Sequence, residues 1–295
     1  MSFVPVEKRR ITPRPDTMRK RPETREDKMI DALSPNLNIM VKGVRKAGAK
    51  MIRDFGEVSS LQVSQKGPGD FVSNADIMAE RTLIEYFSEA RPDYGFILEE
   101  GDDQKARNES PFTWIIDPID GTNNFLHATP FFAISVALLY KEEVIAAVTY
   151  NPITNHLYYA EKGKGAFLMT PTGNIRLRVS GRTRMSIALL GSNAFRSPKN
   201  TAAMEKIADE VASVRYYGAT TLSLAMVAAG QLDAYVATQF KLWDVAAGYL
   251  LIKEAGGFVA DFEGRAEIKE LVKSQTLIAT NMALKDTFLK KMKGN

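Results

Sequence analysis

The 295-residue chain contains no cysteine and only two histidines, His127 and His156. Without cysteine there is no disulfide scaffold, no thiol nucleophile, and no thiolate metal site or iron–sulfur cluster. Two histidines leave almost nothing for a His-rich zinc centre or a Ser-His-Asp triad. No apolar run of about eighteen residues exists, so nothing in the sequence reads as a membrane span. Nor does a secretory signal's apolar stretch follow the basic N-terminus, and a cytoplasmic protein is expected. What is present is ordinary globular composition, 45% hydrophobic and 25% charged, in a chain long enough to bury a sizeable core. Any chemistry therefore falls to oxygen ligands and carboxylates.

The formal net charge of +4 is not spread along the chain. Residues 1–28 hold nine basic groups and five acidic ones, and the remaining 267 residues carry thirty of each sign. The body is thus no general nucleic-acid binder, and the alkaline isoelectric point belongs to the tail. Pro5, Pro13, Pro15 and Pro22 with few apolar residues cannot offset the tail's own ordering entropy, so residues 1–33 are expected to be disordered. Two readings of the tail stand: a weak contact to an anionic partner, RNA, lipid or an acidic protein, or a solvated extension or upstream sequence read from too early a start, with Met29 the real one.

Order is expected from Ser34-Pro35, a cap followed by a proline with its preset dihedral. Leu37, Met40, Val41, Val44, Ala47, Met51, Ile52 and Phe55 recur at threes and fours as one apolar helical face. A turn-rich loop around Gly67-Pro68-Gly69 follows, then a helix opening near Asn74 to Asp76 and ending before Pro92. Two short apolar runs stop at acids: Phe96–Leu98 into Glu99-Glu100, and Phe112–Ile116 into Asp117. β-rich segments over 132–168, separated by turn residues, read as an antiparallel meander. From about Ile187 strands and helices alternate. The pattern predicts an α+β half, residues 34–178, followed by an α/β half, residues 179–295, with sheets layered against helices.

Trp114-Ile-Ile-Asp117-Pro-Ile-Asp120-Gly-Thr122 is the most informative segment. An apolar strand delivers Asp117 at its end, and the turn brings Asp120 round three residues later. Two carboxylates with the Gly121 and Thr122 N–H groups just beyond suit a hard cation bridging protein oxygens and a phosphate; the same residues also make a good turn. Glu99 or Glu100 joins Asp117 if the two strands are neighbours, and converging carboxylates repel unless cations hold them. Glu100, Asp102 and Asp103 read as a charged loop. Asp244, in Trp243-Asp244-Val245-Ala246-Ala247, stands where a small-residue helix begins and serves equally as a cap or a ligand; Asp76 has the same ambiguity.

Together these residues resemble the inositol monophosphatase family of magnesium-dependent phosphomonoesterases, nearest its bacterial extragenic-suppressor type. The matching stretches are Asp70–Asp76, Phe96–Glu100, Trp114–Asn124, Gly163–Phe167, Leu232–Tyr235 and Trp243–Ala247, whose order and spacing fit from about Ser34 to the C-terminus. The resemblance implies a layered αβαβα sandwich of the sugar phosphatase type and two to three Mg²⁺ ions. Glu99, Asp117 and the Ile119 carbonyl are implied as ligands of a first ion, Asp117, Asp120 and Asp244 of a second, and Glu99 through water of a third. Thr122, paired with Asp76, is implied to orient and help deprotonate the attacking water, and the Gly121 and Thr122 N–H groups to hold the phosphate. Lys66 matches a mobile-loop lysine. Ser192 and the Gly218–Thr221 segment, Thr220 included, are expected to line the pocket, and His127 has no chemical role. Ala237 stands where inositol-specific members carry a glutamate, with Thr238 or Gln239 as substitutes. Inositol 1-phosphate leads among substrates, ahead of fructose 1,6-bisphosphate, adenosine 3′,5′-bisphosphate, histidinol phosphate and NADP. Lithium inhibition and a homodimer are further family expectations, and a mainly binding role toward RNA or transcription machinery is the competing one.

Overall fold

The computed structural model describes residues 24–55, 63–67, 70–194 and 201–293; side chains at 25, 26, 63–67 and 70–73 lie outside that description, as does the expected tail up to residue 23. The end of that tail departs from the disorder expected of it. Thr24 caps α1 (Arg25–Asp31) in a capping box with Asp27. Ile30 is buried, and the Ile30 carbonyl accepts from Asn38 Nδ2 at 2.9 Å. Ile30 joins the core cluster of α2 and α3, with Met29 and Leu33 packed against it.

After α2 (Pro35–Phe55), the expected loop is in part a hairpin, β1 (Val63–Gly67) with β2 (Asp70–Ser73). Then come α3 (Asn74–Ala90), β3 (Gly95–Leu98), β4 (Phe112–Asp120) and α4 (Thr122–Leu126). The meander follows as β5 (Ala133–Tyr140), β6 (Glu143–Asn151), β7 (His156–Glu161), β8 (Gly165–Thr170) and β9 (Gly173–Arg176). The second half runs β10 (Leu189–Ser192), α5 (Thr201–Ala208), β11 (Ser213–Arg215), α6 (Thr220–Ala228), β12 (Ala234–Thr238) and α7 (Leu242–Glu254). It closes with β13 (Phe258–Ala260), α8 (Ile268–Ser274), β14 (Thr276–Thr280) and α9 (Lys285–Lys293).

Among the described residues one sheet runs β3 to β9 in chain order, parallel only between β3 and β4, and another is ordered β11-β10-β12-β14-β13. Three apolar clusters separate five layers. Met40, Val44 and Phe87 of α2 and α3 pack on Trp114, Ile116 and Val136 of the first sheet. The other face of that sheet, with Ile115 and Ala137, packs on α6 and α7, which are covered in turn by Tyr235 and Leu277 of the second sheet. Met204 of α5 and Phe288 of α9 close the outside against Leu190 and Val236. The molecule is therefore a layered αβαβα sandwich. Buried on both faces, the strand at Trp114–Ile116 shows a continuous apolar run rather than alternation. Ile52 is the exception on α2: at 46% exposed it falls off the buried stripe.

The middle layer explains the small-residue composition of α6 and α7, which are apolar nearly all round because both sides are covered. A Cβ on Gly248 would stand 2.4 Å from Leu224 Cβ, so the two helices cross at a distance that only glycine permits.

Candidate active site

The site is assembled at the ends of adjacent strands. β3 and β4 are parallel neighbours with Leu98 opposite Ile116, which sets Glu99 beside Asp117. Pairing of β4 with β5 slips between Asp117 and Asp120, where Pro118 can offer no N–H. The chain turns there and Asp120 returns toward the middle layer. Its Oδ1 accepts from Thr220 N at 3.0 Å, and its Oδ2 from Thr221 N at 2.7 Å and Thr221 Oγ1 at 2.6 Å. The first N–H groups of α6, which have no intrahelical partner, are thus spent on this carboxylate.

Asp244 fills the capping role that its place at the start of α7 predicts. Its Oδ2 accepts from Lys241 N at 2.6 Å, capping α7, while its charge acts on Glu99 and Asp117. Asp76 is fully buried in the first turn of α3, and the Thr122 hydroxyl stands 3.1 Å from both Asp76 Oδ1 and the Ile119 carbonyl. Gly121 has φ 93°, and a Cβ there would stand 3.1 Å from Ala219 Cβ and 3.2 Å from the Phe131 carbonyl. A side chain is excluded twice over, by conformation and by crowding.

Burial dominates the electrostatics. It pushes the Glu99 carboxyl up to about 8, and the charges of Asp244, Glu100 and Asp76 add to the rise while a hydrogen bond with Asp117 opposes it. Asp117 is raised well above the carboxylate range by burial, then by Glu99, Asp120 and Asp244. Asp120 is raised by burial against the hydrogen bonds of Thr221 and Thr220. Burial takes Asp244 to about 7 despite the Lys241 N–H, with Asp120 adding to the rise. The four carboxyls thus stand close enough to oppose one another's ionisation. Glu99 Oε2 and Asp117 Oδ1 are buried with no hydrogen-bond partner. Oxygen-only donors, like-charge crowding and orphaned lone pairs fit a hard divalent cation. Among the described residues no three such groups already stand as a closed ligand shell, since Asp120 and Asp244 are turned to backbone donors of their own.

Other expected residues are placed differently. The Ser192 hydroxyl donates to the Val236 carbonyl at 2.9 Å and accepts from Ala194 N at 2.9 Å, so it is committed to the end of β10 rather than offered to a ligand. Along β12, Tyr235 and Ala237 face the middle layer whereas Ala234 and Val236 face α5 and α9. By that alternation Thr238 points away from the cluster and is no substitute for the missing glutamate. Gln239 is exposed just beyond the strand. The side chain of Lys66 lies outside the described residues. His127 is exposed at the end of α4, and Asp103 braces the loop after β3 by accepting from Leu98 N at 3.0 Å.

Two residues escaped sequence reasoning. Glu80 is buried and accepts from Glu100 N at 3.0 Å; its spacing of four from Asp76 was the available signal. Asn124 donates to the carbonyls of Phe131 and Tyr217, both at 2.7 Å, stitching the loop after β4 to the turn before α6. No local pattern marks that link, which joins positions 93 residues apart.

Similarity to known proteins agrees with this geometry. The chain is 48% identical over 238 residues to an inositol-1-monophosphatase of Rhizobium meliloti, covering 79% of this chain and 88% of that one. It is 37% identical over 246 residues to a Nus factor SuhB of Pseudomonas aeruginosa, covering 81% and 89% respectively. The crystal structure of the extragenic suppressor protein suhB from Bartonella henselae superposes with a TM-score of 0.83 at 39% identity, over 88% of this chain and 99% of that one. Among the described residues no helix is long and apolar enough to cross a membrane. The family model for inositol monophosphatases matches residues 32–294, and the chain belongs to the inositol monophosphatase family, a family of phosphatases.

Proposed function

We propose that this chain hydrolyses a small phosphate monoester in a Mg²⁺-dependent reaction, with inositol 1-phosphate as the leading substrate. The observation that carries the reading is the cluster of buried Asp117 and Asp120 with half-buried Glu99 and Asp244, in which Glu99 Oε2 and Asp117 Oδ1 have no hydrogen-bond partner. Among the described residues no lysine or arginine pairs with Glu99, Asp117 or Asp120, so bound cations would supply the charge that lets these carboxyls ionise. Two to three ions would be held by Glu99, Asp117, the Ile119 carbonyl, Asp120 and Asp244. When bound, they neutralise the phosphate dianion, acidify water and steady the leaving alkoxide.

The protein groups supply position and proton transfer. Thr122, fixed by Asp76 at 3.1 Å, would orient water with its lone pairs and receive water's proton while its own hydroxyl proton passes to the buried Asp76 carboxylate. The Gly121 and Thr122 N–H groups open α4 and would hold phosphate oxygens. Thr220 and Thr221 hold Asp120 in register, so Thr221→Val, which deletes the 2.6 Å hydroxyl bond, should weaken Mg²⁺ activation about tenfold, as loss of an outer-shell partner does. A magnesium titration of initial rates checks this, and an unchanged half-activating concentration would count against the arrangement.

The test of the function is phosphate release from inositol 1-phosphate, fructose 1,6-bisphosphate, adenosine 3′,5′-bisphosphate, histidinol phosphate and NADP, with Mg²⁺, with EDTA and with added Li⁺. Release from inositol 1-phosphate that needs Mg²⁺ and falls with Li⁺ is expected. No release from any compound by folded, Mg²⁺-binding protein would overturn the reading. Because Ala237 offers no charge to substrate hydroxyls, a substrate other than inositol 1-phosphate is the finer alternative. The reading takes the protein as a cytoplasmic homodimer, which light scattering checks for assembly.

A second reading is favoured by relatives named Nus factor SuhB at 35–38% identity. On it, the basic segment 1–28 contacts RNA or transcription machinery. Deleting that segment should then weaken RNA binding, most at low salt, while Asp117→Asn should still complement a deletion phenotype.

A further inference from the structure

α3 carries two buried carboxylates one turn apart, and each meets a different segment of the site. Asp76 meets Thr122 at the start of α4, just after β4. Glu80, 4% exposed, turns to the loop after β3: its Oε2 accepts from Glu100 N at 3.0 Å, and the N–H groups of Gly101 and Glu99 also act on its carboxylate. The chain comes so close here that a Cβ on Gly101 would stand 3.0 Å from Glu80 Oε1.

β3 ends at Leu98, so residues 99–101 lie beyond the strand ladder. The base of the loop is closed by Asp103 on Leu98 N and by Phe96 N donating to the Gln104 carbonyl at 2.7 Å. Its tip is held by Glu80. Among the described residues no lysine or arginine pairs with Glu80, and burying an anion near other anions is costly. A neutral amide would offer one acceptor oxygen; a carboxylate offers two, with charge-assisted bonds to consecutive N–H groups.

We propose that Glu80 is a positioning residue that cradles the backbone of Glu99–Gly101 and thereby presents the Glu99 carboxylate to a divalent cation. This rests on the Mg²⁺ reading above. With Asp76 and Glu80 on one rigid helix, α3 sets the separation between the start of α4 and the Glu99 loop, which hydrogen bonds within either segment could not do.

The experiment is calorimetric Mg²⁺ titration of the full chain, combined with amide hydrogen exchange at Glu100 and Gly101 in metal-free protein, for wild type, Glu80→Gln and Gly101→Ala. Glu80→Gln should bind Mg²⁺ about tenfold more weakly or worse and exchange both amides faster. Its metal-free melting temperature and its KM at saturating Mg²⁺ should stay as in wild type. Gly101→Ala, an exposed change that presses a methyl group onto the same carboxylate, should shift affinity and exchange in the same direction, and it carries the test if Glu80→Gln does not fold. Unchanged Mg²⁺ affinity in the folded variants would overturn the role, as would a lowered metal-free melting temperature with affinity intact. Wild-type protein that takes up no Mg²⁺ would overturn the metal reading and this role with it.

Discussion

Asp117→Asn should abolish phosphate release while making the metal-free protein more heat-stable above neutral pH. Asp117 is the one carboxylate assigned to both principal ions, so the loss should exceed the roughly 10²-fold that removal of an outer-shell partner can cost at a metal site. The stability gain follows from the sign of the shifts. Glu99 and Asp244 rise from 4.5 and 3.8 to about 8 and about 7 in the folded protein. A folded state with raised carboxyl pKa values binds protons more tightly than the unfolded chain. That contribution is complete below the ordinary carboxylate range and is lost as pH climbs through about 7 and then about 8. Metal-free wild type should therefore melt at a lower temperature at pH 9 than at pH 5.5, and the asparagine variant should show a smaller decline because one buried anion is gone. Saturating Mg²⁺ should restore wild type at pH 9 by mass action on the folded state and leave the variant nearly unmoved. Melting curves at the two pH values with EDTA or Mg²⁺ measure all of this. A metal-free variant less stable than wild type at pH 9 would remove like-charge repulsion from the account.

Gly248→Ala should destabilise the protein by about 1–3 kcal/mol, the usual cost of an extra methyl group in a filled core. The new Cβ would meet Leu224 Cβ at 2.4 Å, and Leu224 is fully buried, so one helix must move. At this chain length such a loss lowers the melting temperature by roughly 2–4 °C per kcal/mol. Activity should fall as well, because α7 carries Asp244 and α6 presents Thr220 and Thr221 to Asp120. Retained activity at a lowered melting temperature would show that the crossing of α6 and α7 can widen without moving these groups. An unchanged melting temperature would contradict the tight crossing itself.

Most elements were legible in the chain because their burial is one-sided or two-sided in a regular way. The stripe from Leu37 to Met51 and the run Trp114–Ile116 each signal a helix face and a doubly covered strand. Helix α1 was not, because its few apolar residues gain their partners only on α2. The hairpin of β1 and β2 hid behind Gly67, Pro68 and Gly69, which read as turn whether or not the flanks pair. The bonding of Ser192 is not legible in the chain, because a serine near a strand end looks the same in sequence whether its hydroxyl is free or already bonded to Val236 and Ala194.

The sequence by itself determined which chemistry was open to this protein. Lacking cysteine and nearly lacking histidine, it works chiefly with carboxylates, hydroxyls and backbone groups, and Asp117 and Asp120 are close in the chain, so their partnership is a property of one turn. Only the tertiary structure decided that Glu99 stands beside Asp117, that Asp244 reaches the same place from 124 residues after Asp120, and that Glu80 and Asn124 hold the loops. Those relations depend on which strands are neighbours and on how closely α6 and α7 cross. Strand neighbourhood and helix crossing are set by burial summed over both sheets rather than by any local run of residues.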